Sequence, residues 1–323
     1  MSELRVGVLA YPGCFASEVF GVPDLLTMAT HLGGPDLVSY EVAVMSPRGR
    51  VAASGGTTLG VCPVREVDVL VVPGFELGPA LDVDARLAHL GPEIAVIRSH
   101  AATGNAVVSI CAGAFLVAEA GLLHGRRATT AWLLADELAR RCPDAEVQAE
   151  HLVVTDRGVT TTAAFSAMYD FALALIREHS GPRVARTTAR VALVDDARSS
   201  QAPYVDTRLL PQPGHEFSRR VMRRLDQNLA DPYDLAALSR TFNVSTRTLL
   251  RRFAGETGRS PLAYLQSSRV RRARHLLETT DRTVAGIAAA VGYRDPGTFA
   301  ALFARHTGRR PQDYRAAFRR DAG

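Results

Sequence analysis

The strongest constraint on this chain is a short sequence that occurs twice, 50 residues apart. The segment TGRSPLAY at 257–264 returns as TGRRPQDY at 307–314. In each copy a Gly suited to a left-handed helix end is followed by a Pro suited to the first turn of the next helix. The repeat predicts two similar helical units in series.

Capping residues define the first unit. Asp234 can cap a helix over 235–242, Asn243 can supply a left-handed turn, and Ser245 can cap a second helix that starts at Thr246. Two short helices joined in this way are typical of a helix-turn-helix.

The second unit has the same order of signals. Thr283 can cap a helix, Gly292 lies at the turn, and Asp295-Pro296 opens the next helix. An amphipathic stretch over 261–278 predicts a long helix that joins the two units rigidly. We therefore expect an all-α carboxyl-terminal domain with two helix-turn-helix units.

Charge is distributed unevenly along the 323 residues. Residues 1–200 contain 16 Arg against 22 Asp and Glu, whereas residues 201–323 contain 22 Arg against 11, for net charges of −6 and +11. A basic final third favours a nucleic-acid partner. A merely solvated charged face is the alternative.

The remaining composition restricts the class of protein. No apolar run approaches the roughly 18 residues of a membrane helix, and residues 6–10 are too short for a signal peptide, which predicts a cytoplasmic protein with no membrane partner. Four scattered cysteines without CxxC spacing predict reduced thiols, no metal site and no cofactor.

The first 200 residues alternate between short apolar runs and helical patterns. Runs at 4–11, 40–45, 67–72, 106–110 and 152–155 predict strands, and Ser17 is placed to cap the first helix. Continuous Val, Leu and Ile between helices indicate a parallel sheet covered on both faces. The prediction is an α/β domain with a flavodoxin-like, doubly wound parallel sheet, whose site lies at the carboxyl ends of the strands.

One strand end has the pattern of a nucleophile elbow. In VVSICAGAFL, residues 107–116, a strand turns through small residues directly into a helix. Cys111 is then expected at a helix N-terminus, where the dipole favours the thiolate.

The segments DVLVVPG at 68–74, the elbow around Cys111, residues 121–123 leading to 128–130, and VVT at 153–155 resemble the ThiJ/PfpI group of the class I glutamine-amidotransferase-like superfamily. The resemblance covers nearly all of residues 4–180. It implies that Cys111 is the nucleophile, that Glu18 faces it as an acid, and that Gly74-Phe75 forms part of an oxyanion-type loop.

The chain departs from that family at position 131. The family pattern places a His after the paired threonines, where this sequence has Ala131 followed by Trp132. Because covalent thiol catalysis generally requires a nearby base, we predict no enzyme activity and no catalytic residue. His124 and His151 are close in sequence, but nothing places either beside the thiol.

Several roles remain open for the elbow. Cys111 is a small buried apolar group, a ligand-contacting residue, a redox-sensitive thiol or a nucleophile, and Glu18 either faces it or complements the dipole of its own helix. A vestigial or ligand-binding pocket would be lined by Glu18, Gly74, Phe75, Cys111, Ala112 and Trp132.

The two helical units resemble the AraC/XylS family of transcription regulators, and an amidotransferase-like domain in front of them is the order found in GlxA- and AdpA-like regulators. The resemblance implies binding to double-stranded DNA at a promoter or operator. Together, the two resemblances span practically the whole chain.

Helix geometry selects the DNA-reading residues. Leu249 and Phe253 should face the core, while Arg247 and Arg251, four residues apart on another face, can enter the major groove together. The Arg fork can form two hydrogen bonds with guanine, and the family resemblance puts base readers at both positions. Aligning the repeats pairs these arginines with Gly297 and Ala301.

Specificity is therefore predicted to reside mainly in the first reading helix, and the second mostly to hold phosphates. The residues expected at the DNA backbone or groove edge are Ser245, Thr248, Arg252, Arg294, Asp295, Thr298 and Arg305.

These inferences predict three segments: a dimerisation and sensing domain at 1–190, a linker at 191–214 rich in Pro and polar residues, and a DNA-binding domain at 215–323. The leading hypothesis is a sequence-specific transcription regulator that forms a homodimer through its first domain, responds to an unknown small-molecule effector and contacts RNA polymerase. The alternatives are a thiol hydrolase or hydratase fused to a DNA-binding module, and a first domain that only dimerises.

Overall fold

A computed structural model describes residues 3–34, 38–77, 82–196, 198, 200–205, 209 and 216–319. The chain divides into two compact units, Met1–Gln201 and Ala202–Gly323. The division falls inside the segment for which the sequence predicts a linker.

The amino-terminal unit alternates strands and helices. Its strands are β1 (Glu3–Leu9), β2 (Ser39–Met45), β3 (Arg50–Ala52), β4 (Thr58–Gly60), β5 (Val69–Val72), β6 (Ala106–Ser109), β7 (Arg127–Ala128), β8 (Glu146–Val147), β9 (Val153–Asp156) and β10 (Val159–Thr162). Its helices are α1 (Ala16–Gly33), α2 (Val83–Leu87), α3 (Gly91–Ala102), α4 (Gly113–Glu119), α5 (Ala135–Arg141) and α6 (Ala167–Val191).

Six strands form the central sheet in the order β2-β1-β5-β6-β10-β9, and two further pairs, β3-β4 and β7-β8, lie outside it. The pairs β1-β2, β1-β5, β5-β6 and β6-β10 are parallel, which confirms the predicted α/β class. The four residues of β5 are all buried, as expected of a strand covered on both faces.

Two details of the sequence prediction were wrong. The edge strand β9 runs antiparallel to β10, because a two-residue turn at Arg157-Gly158, both with positive φ, folds one strand directly back on the other. Ser17 does not cap α1: the cap position is Phe15, which makes no side-chain capping hydrogen bond.

Within its described residues, the carboxyl-terminal unit contains helices and no strand. They are α7 (Glu216–Gln227), α8 (Leu235–Thr241), α9 (Thr246–Thr257), α10 (Pro261–Thr279), α11 (Val284–Ala290), α12 (Pro296–Thr307) and α13 (Pro311–Phe318). The pairs α8-α9 and α11-α12 correspond to the two predicted helix-turn-helix units.

The predicted helix ends are confirmed at their caps. The side chains of Asp234, Ser245 and Thr283 accept hydrogen bonds from backbone N–H groups in the first turns of α8, α9 and α11. Asn243 and Gly292 have φ values of 52° and 85° at the two turns.

Helix α10 belongs to two hydrophobic cores. Tyr264 and Leu265 pack with residues of α7, α8 and α9, whereas Val270, Ala273 and Leu277 pack with residues of α11, α12 and α13. One helix thus packs against both helix-turn-helix pairs and connects them in one frame. No helix in the described parts of the chain is long and apolar enough to cross a membrane.

Candidate nucleic-acid interface and cysteine elbow

Helix α9, for which the sequence predicts the main contacts with DNA bases, has a buried face and an exposed basic face. Leu249 and Phe253 are fully buried, as predicted. Arg247 and Arg251 are exposed, and no ion pair or hydrogen bond involves their guanidinium groups within the described residues. Helix α9 begins directly after Asn243-Val244-Ser245, in which Asn243 makes the left-handed turn and Ser245 caps the helix. Two guanidinium groups one turn apart are therefore presented to solvent.

The other predicted contacts on α9 are partly engaged within the protein. Arg252 pairs with Glu256 at 2.7 Å and lies 4.2 Å above the centre of the Phe217 ring. The Ser245 hydroxyl accepts from Thr248 N and donates to Thr248 Oγ1 at 2.9 Å. Arg252 is less available for a phosphate than the sequence alone suggested.

Helix α12, the equivalent helix of the second unit, has the same arrangement without the paired arginines. Phe299 and Phe303 are fully buried. Thr298, Ala301 and Arg305 are exposed, and Arg294 is exposed just before the helix.

The N-terminus of α12 is already satisfied. The Asp295 carboxylate accepts hydrogen bonds from Gly297 N at 3.3 Å, Thr298 N at 2.6 Å and the Thr298 hydroxyl at 2.7 Å. These bonds hold the pKa of Asp295 below its usual value. An anionic cap repels a second anion, which argues against the phosphate contact predicted at Asp295.

A pair of tyrosines, one in each repeat, links the reading units to the preceding helices. Tyr264 donates to Asp226 Oδ2 at 2.7 Å, and Tyr314 donates to Glu278 Oε1 at 2.7 Å. Asp226 is near the end of α7 and Glu278 near the end of α10, so the two units repeat this contact as well as the fold. Sequence analysis missed it, although both tyrosines end the repeated octapeptide.

The predicted elbow is present between β6 and α4. Cys111 has a φ of 51°, which is unusual for a residue other than Gly. Its N–H donates to Thr162 O at 3.2 Å, and a Cβ at Gly113 would lie 2.4 Å from Val72 O. Only glycine at position 113 permits α4 to start this close to the β5 backbone.

Glu18, Gly74 and Cys111 meet at the carboxyl end of the sheet, as the family resemblance implies. Gly74 N–H donates to Glu18 Oε2 at 2.5 Å. A Cβ at Gly74 would lie 3.0 Å from Cys111 Cβ and 3.2 Å from Glu18 Oε2. Because Gly74 N–H is bonded to Glu18, it is not free to serve as the predicted oxyanion donor.

Burial controls the protonation of this site. Desolvation raises the pKa of Glu18 to about 8, against the opposing hydrogen bond from Gly74. Desolvation, with a contribution from the Glu18 charge, raises the pKa of Cys111 to about 12. The prediction that the helix dipole favours the thiolate is therefore wrong: the seven-residue α4 does not outweigh the loss of solvation.

Three aromatic residues near the elbow were not identified from the sequence. Tyr11 is fully buried and donates to Pro73 O. The Phe15 and Phe165 rings lie 5.4 Å apart, edge to face, and the Phe165 backbone interacts with the Cys111 thiol. Phe15 follows β1 and Phe165 follows β10 in sequence, so only the folded sheet brings them together.

The residue at the departure from the family lies beside the elbow. The Thr130 hydroxyl donates to Cys111 O at 2.8 Å, and the next residue, Ala131, is buried. His124 is exposed and pairs with Asp144 at 3.1 Å, and His151 is exposed. Within the described residues, no hydrogen bond joins either imidazole to Cys111.

The remaining pocket candidates lie around this site. Ala112 is buried at the start of α4 and Phe75 is buried with its ring edge to face with Tyr11, 6.4 Å away. Trp132 N donates to Gln201 Oε1 at 3.0 Å. Gln201, which is 2% exposed, also bonds to Thr130 O and Ala149 O. The end of the amino-terminal unit is thus fixed beside the Thr130–Trp132 segment.

Comparison with known proteins agrees with both halves of the fold. Residues 35–178 match the DJ-1/PfpI family, and residues 238–317 match a helix-turn-helix domain. The HTH-type transcriptional regulator GlxA of Rhizobium meliloti is 27% identical over 93% of this chain and 92% of its own length.

Two further relatives correspond to the amino-terminal part. An isonitrile hydratase from Pseudomonas putida is 31% identical over 64% of this chain and 93% of its own. The crystal structure of an AraC family transcriptional regulator from Pseudomonas putida has a TM-score of 0.50 and 20% identity over 58% of this chain and 99% of its own, a similarity of fold.

The full-length similarity to a regulator, the two tandem helix-turn-helix units and the elbow domain in front of them lead to one conclusion. The chain is a DNA-binding transcriptional regulator that belongs to the family of AraC-type helix-turn-helix regulators with an amino-terminal DJ-1/PfpI domain.

Proposed function

We propose that this regulator reads base sequence mainly through Arg247 and Arg251 of α9. The observation that carries the proposal is the pair of exposed guanidinium groups on one helix face, one turn apart, above a fully buried Leu249 and Phe253. Each fork can bind O6 and N7 of a guanine in the major groove, where every base pair has a distinct pattern of donors and acceptors.

The second reading helix holds the duplex more than it reads it. At the positions equivalent to the two arginines, α12 has Gly297 and Ala301, which can at most touch a thymine methyl group. Arg294 and Arg305 are exposed at the two ends of α12 and provide charge for phosphates. Two such helices on one frame reach major-groove faces about 34 Å apart.

The proposal extends to a homodimer through the amino-terminal unit, since two-fold symmetry doubles the recognised sequence. RNA polymerase is the further partner that such a regulator would contact at a promoter.

The elbow is proposed as an effector site. A ligand there meets a thiol and a carboxyl that are both neutral at pH 7, as their pKa values of about 12 and about 8 require. Within the described part of the chain, Glu18 Oε1 is buried without a hydrogen-bond partner, and the nearby Phe15 and Phe165 rings offer an apolar face. This supports a small neutral molecule with a hydrogen-bonding group as the effector.

The main test compares binding to an operator, obtained by genome-wide mapping of bound sites, with binding to random DNA. R247A and R251A should each reduce the discrimination about 10- to 100-fold, since a bidentate base contact contributes about 1–3 kcal/mol. R223A is the matched control, because Arg223 is an exposed arginine on α7, outside both helix-turn-helix pairs. Undiminished discrimination by folded R247A and R251A would refute the assignment.

A second candidate function, thiol catalysis, is favoured by the position of Glu18 beside Gly74 and Cys111 and by the similarity to an isonitrile hydratase. Against it stand Ala131 and the neutral thiol. Turnover of isonitrile or dicarbonyl substrates by the purified protein, lost in C111S, would establish the activity. A thermal shift against a metabolite panel distinguishes an effector site from a domain that only dimerises, because a ligand bound only by the native state raises the Tm.

A further inference from the structure

One arginine lies between the two helix-turn-helix units instead of on their surface. Arg269, in the middle of α10, is 7% exposed. Its Nε donates to Leu229 O at 2.8 Å and its Nη2 to Asp231 O at 2.6 Å. Both carbonyls belong to the loop that joins α7 to α8, and this loop leads into the first unit.

The other side of the guanidinium faces the turn of the second unit. Arg269 Cζ lies 5.2 Å from the centre of the Tyr293 ring. The Tyr293 ring is in turn 5.7 Å from that of Phe299, the first buried aromatic residue of α12. A continuous line of contacts therefore runs from the loop before α8, through Arg269, to the second reading helix.

Beside Arg269, the backbone of the second unit at Gly292 also approaches the loop that leads into the first unit. A Cβ at Gly292 would lie 2.6 Å from Ala230 O and 2.8 Å from Arg269 Nη2. Gly292, with a φ of 85°, is thus required both for the turn and for this close approach. No other side-chain type fits without displacing one unit from the other.

We propose that Arg269 is a positioning residue for DNA recognition, which fixes the distance and rotation between the two reading helices and so lets α9 and α12 engage one duplex at the same time. The planar guanidinium of Arg269 suits this positioning role, because it bonds to two carbonyls of the loop that leads into the first unit while it also lies against the Tyr293 ring of the second unit. Lysine can replace the charge but not this combination of contacts.

The proposal rests on the proposed function, in which both reading helices engage one duplex. Because α12 holds phosphates more than it reads bases, an inserted base pair only presents it with other phosphates, whereas a duplex cut short on its side removes its contacts. A rigid pair of reading helices adds the contacts of α12 to those of α9, and a pair that is free to move gains little from them.

The experiment uses the full-length protein with the complete operator duplex and with a duplex cut short so that the segment facing α12 is missing. We expect wild type to lose about tenfold in affinity on the shortened duplex, and R269M to bind the complete duplex more weakly with a truncation penalty within about twofold. R272M is the matched control, because Arg272 is an exposed arginine on the same helix; it should keep the wild-type penalty.

Hydrogen–deuterium exchange of the DNA-free protein tests the bridge itself. Faster exchange over 228–234 and 289–295 is expected in R269M but not in R272M. If R269M does not fold, R269K serves in its place, since it retains the charge and loses the fork.

A folded R269M or R269K that keeps the full wild-type truncation penalty would overturn the role of Arg269, and unchanged exchange would refute the bridge. Failure of the proposed function has a different signature: wild type itself would bind the shortened duplex as tightly as the complete one, whatever residue 269 is.

Discussion

The buried carboxyl group of Glu18 makes a sharp prediction about stability and pH. Its side chain is fully buried, and desolvation raises its pKa from 4.5 to about 8. Between these two values the folded state keeps a proton that the unfolded chain has released. Because the native state then binds more protons than the unfolded state, the free energy of unfolding falls as pH rises from 4.5 towards 8.

The magnitude follows from the size of the shift. One pKa unit corresponds to about 1.4 kcal/mol, so the Glu18 contribution between pH 5 and pH 8 amounts to about 3 kcal/mol. For a unit of this size that is equivalent to a fall in Tm of about 6 to 12 °C. Glutamine has nearly the shape of the protonated acid and cannot ionise, so E18Q should lack this component.

The assay is thermal unfolding of wild type and E18Q at pH 5 and pH 8, followed by tryptophan fluorescence. Trp132 is the single tryptophan of the chain and lies in the amino-terminal unit, so its signal reports on that unit. The two proteins should melt at similar temperatures at pH 5, and E18Q should melt higher at pH 8. E178Q, at an exposed glutamate of α6, is the control and should follow wild type.

The refuting result is an equal loss of Tm in wild type and E18Q between the two pH values. The neighbouring titratable groups do not ionise in the folded protein between pH 5 and pH 8, since the pKa values of Cys14 and Cys111 are about 11 and about 12 and that of Tyr11 is well above its ordinary value. An equal loss would mean that the Glu18 carboxyl ionises freely in the folded protein, and the neutral effector site would lose its basis.

Three further predictions concern other residues. G74A should lower stability by about 1 to 3 kcal/mol, because its Cβ lies 3.0 Å from Cys111 Cβ, whereas G91A, in open space, should change the fluorescence melt little; equal melts would contradict the close approach. Cys111 in the native protein should react with iodoacetamide at pH 7 far more slowly than in urea, since the thiolate is the reactive form and burial raises its pKa; mass spectrometry measures both rates, and fast native labelling would show an activated thiol. R294A should reduce the slope of log affinity against log salt by about one while leaving sequence preference intact; a changed preference would assign Arg294 to base reading.

The sequence determined the carboxyl-terminal fold almost completely, because its signals are local. Asp234, Ser245 and Thr283 cap the helices that follow them through hydrogen bonds spanning three residues, and Asn243 and Gly292 fix turns by their own backbone angles. The buried and exposed faces of α9 follow equally from helical spacing. Interactions between residues this close in the chain can be predicted from the sequence alone.

The elbow was also located from its sequence, but its chemistry was not. A helix N-terminus favours a thiolate when considered alone, whereas the structure surrounds Cys111 with residues from several strand ends and leaves it only partly exposed beside Glu18, so the desolvation cost decides the protonation state. The burial of a side chain depends on segments that are distant in sequence, so the residues next to it in the chain do not predict it.

Tertiary structure alone decided the roles of the other arginines. Arg252 and Arg269 look like further basic residues of a DNA-binding segment, yet one pairs with Glu256 above Phe217 and the other bridges the two reading units. The sequence specifies that a guanidinium is present, and only the packing of segments up to 40 residues apart specifies what it contacts. The sequence thus identified the regulator, and the fold distinguished exposed arginines without an ion pair or hydrogen bond among the described residues, such as Arg247 and Arg251, from arginines engaged within the protein.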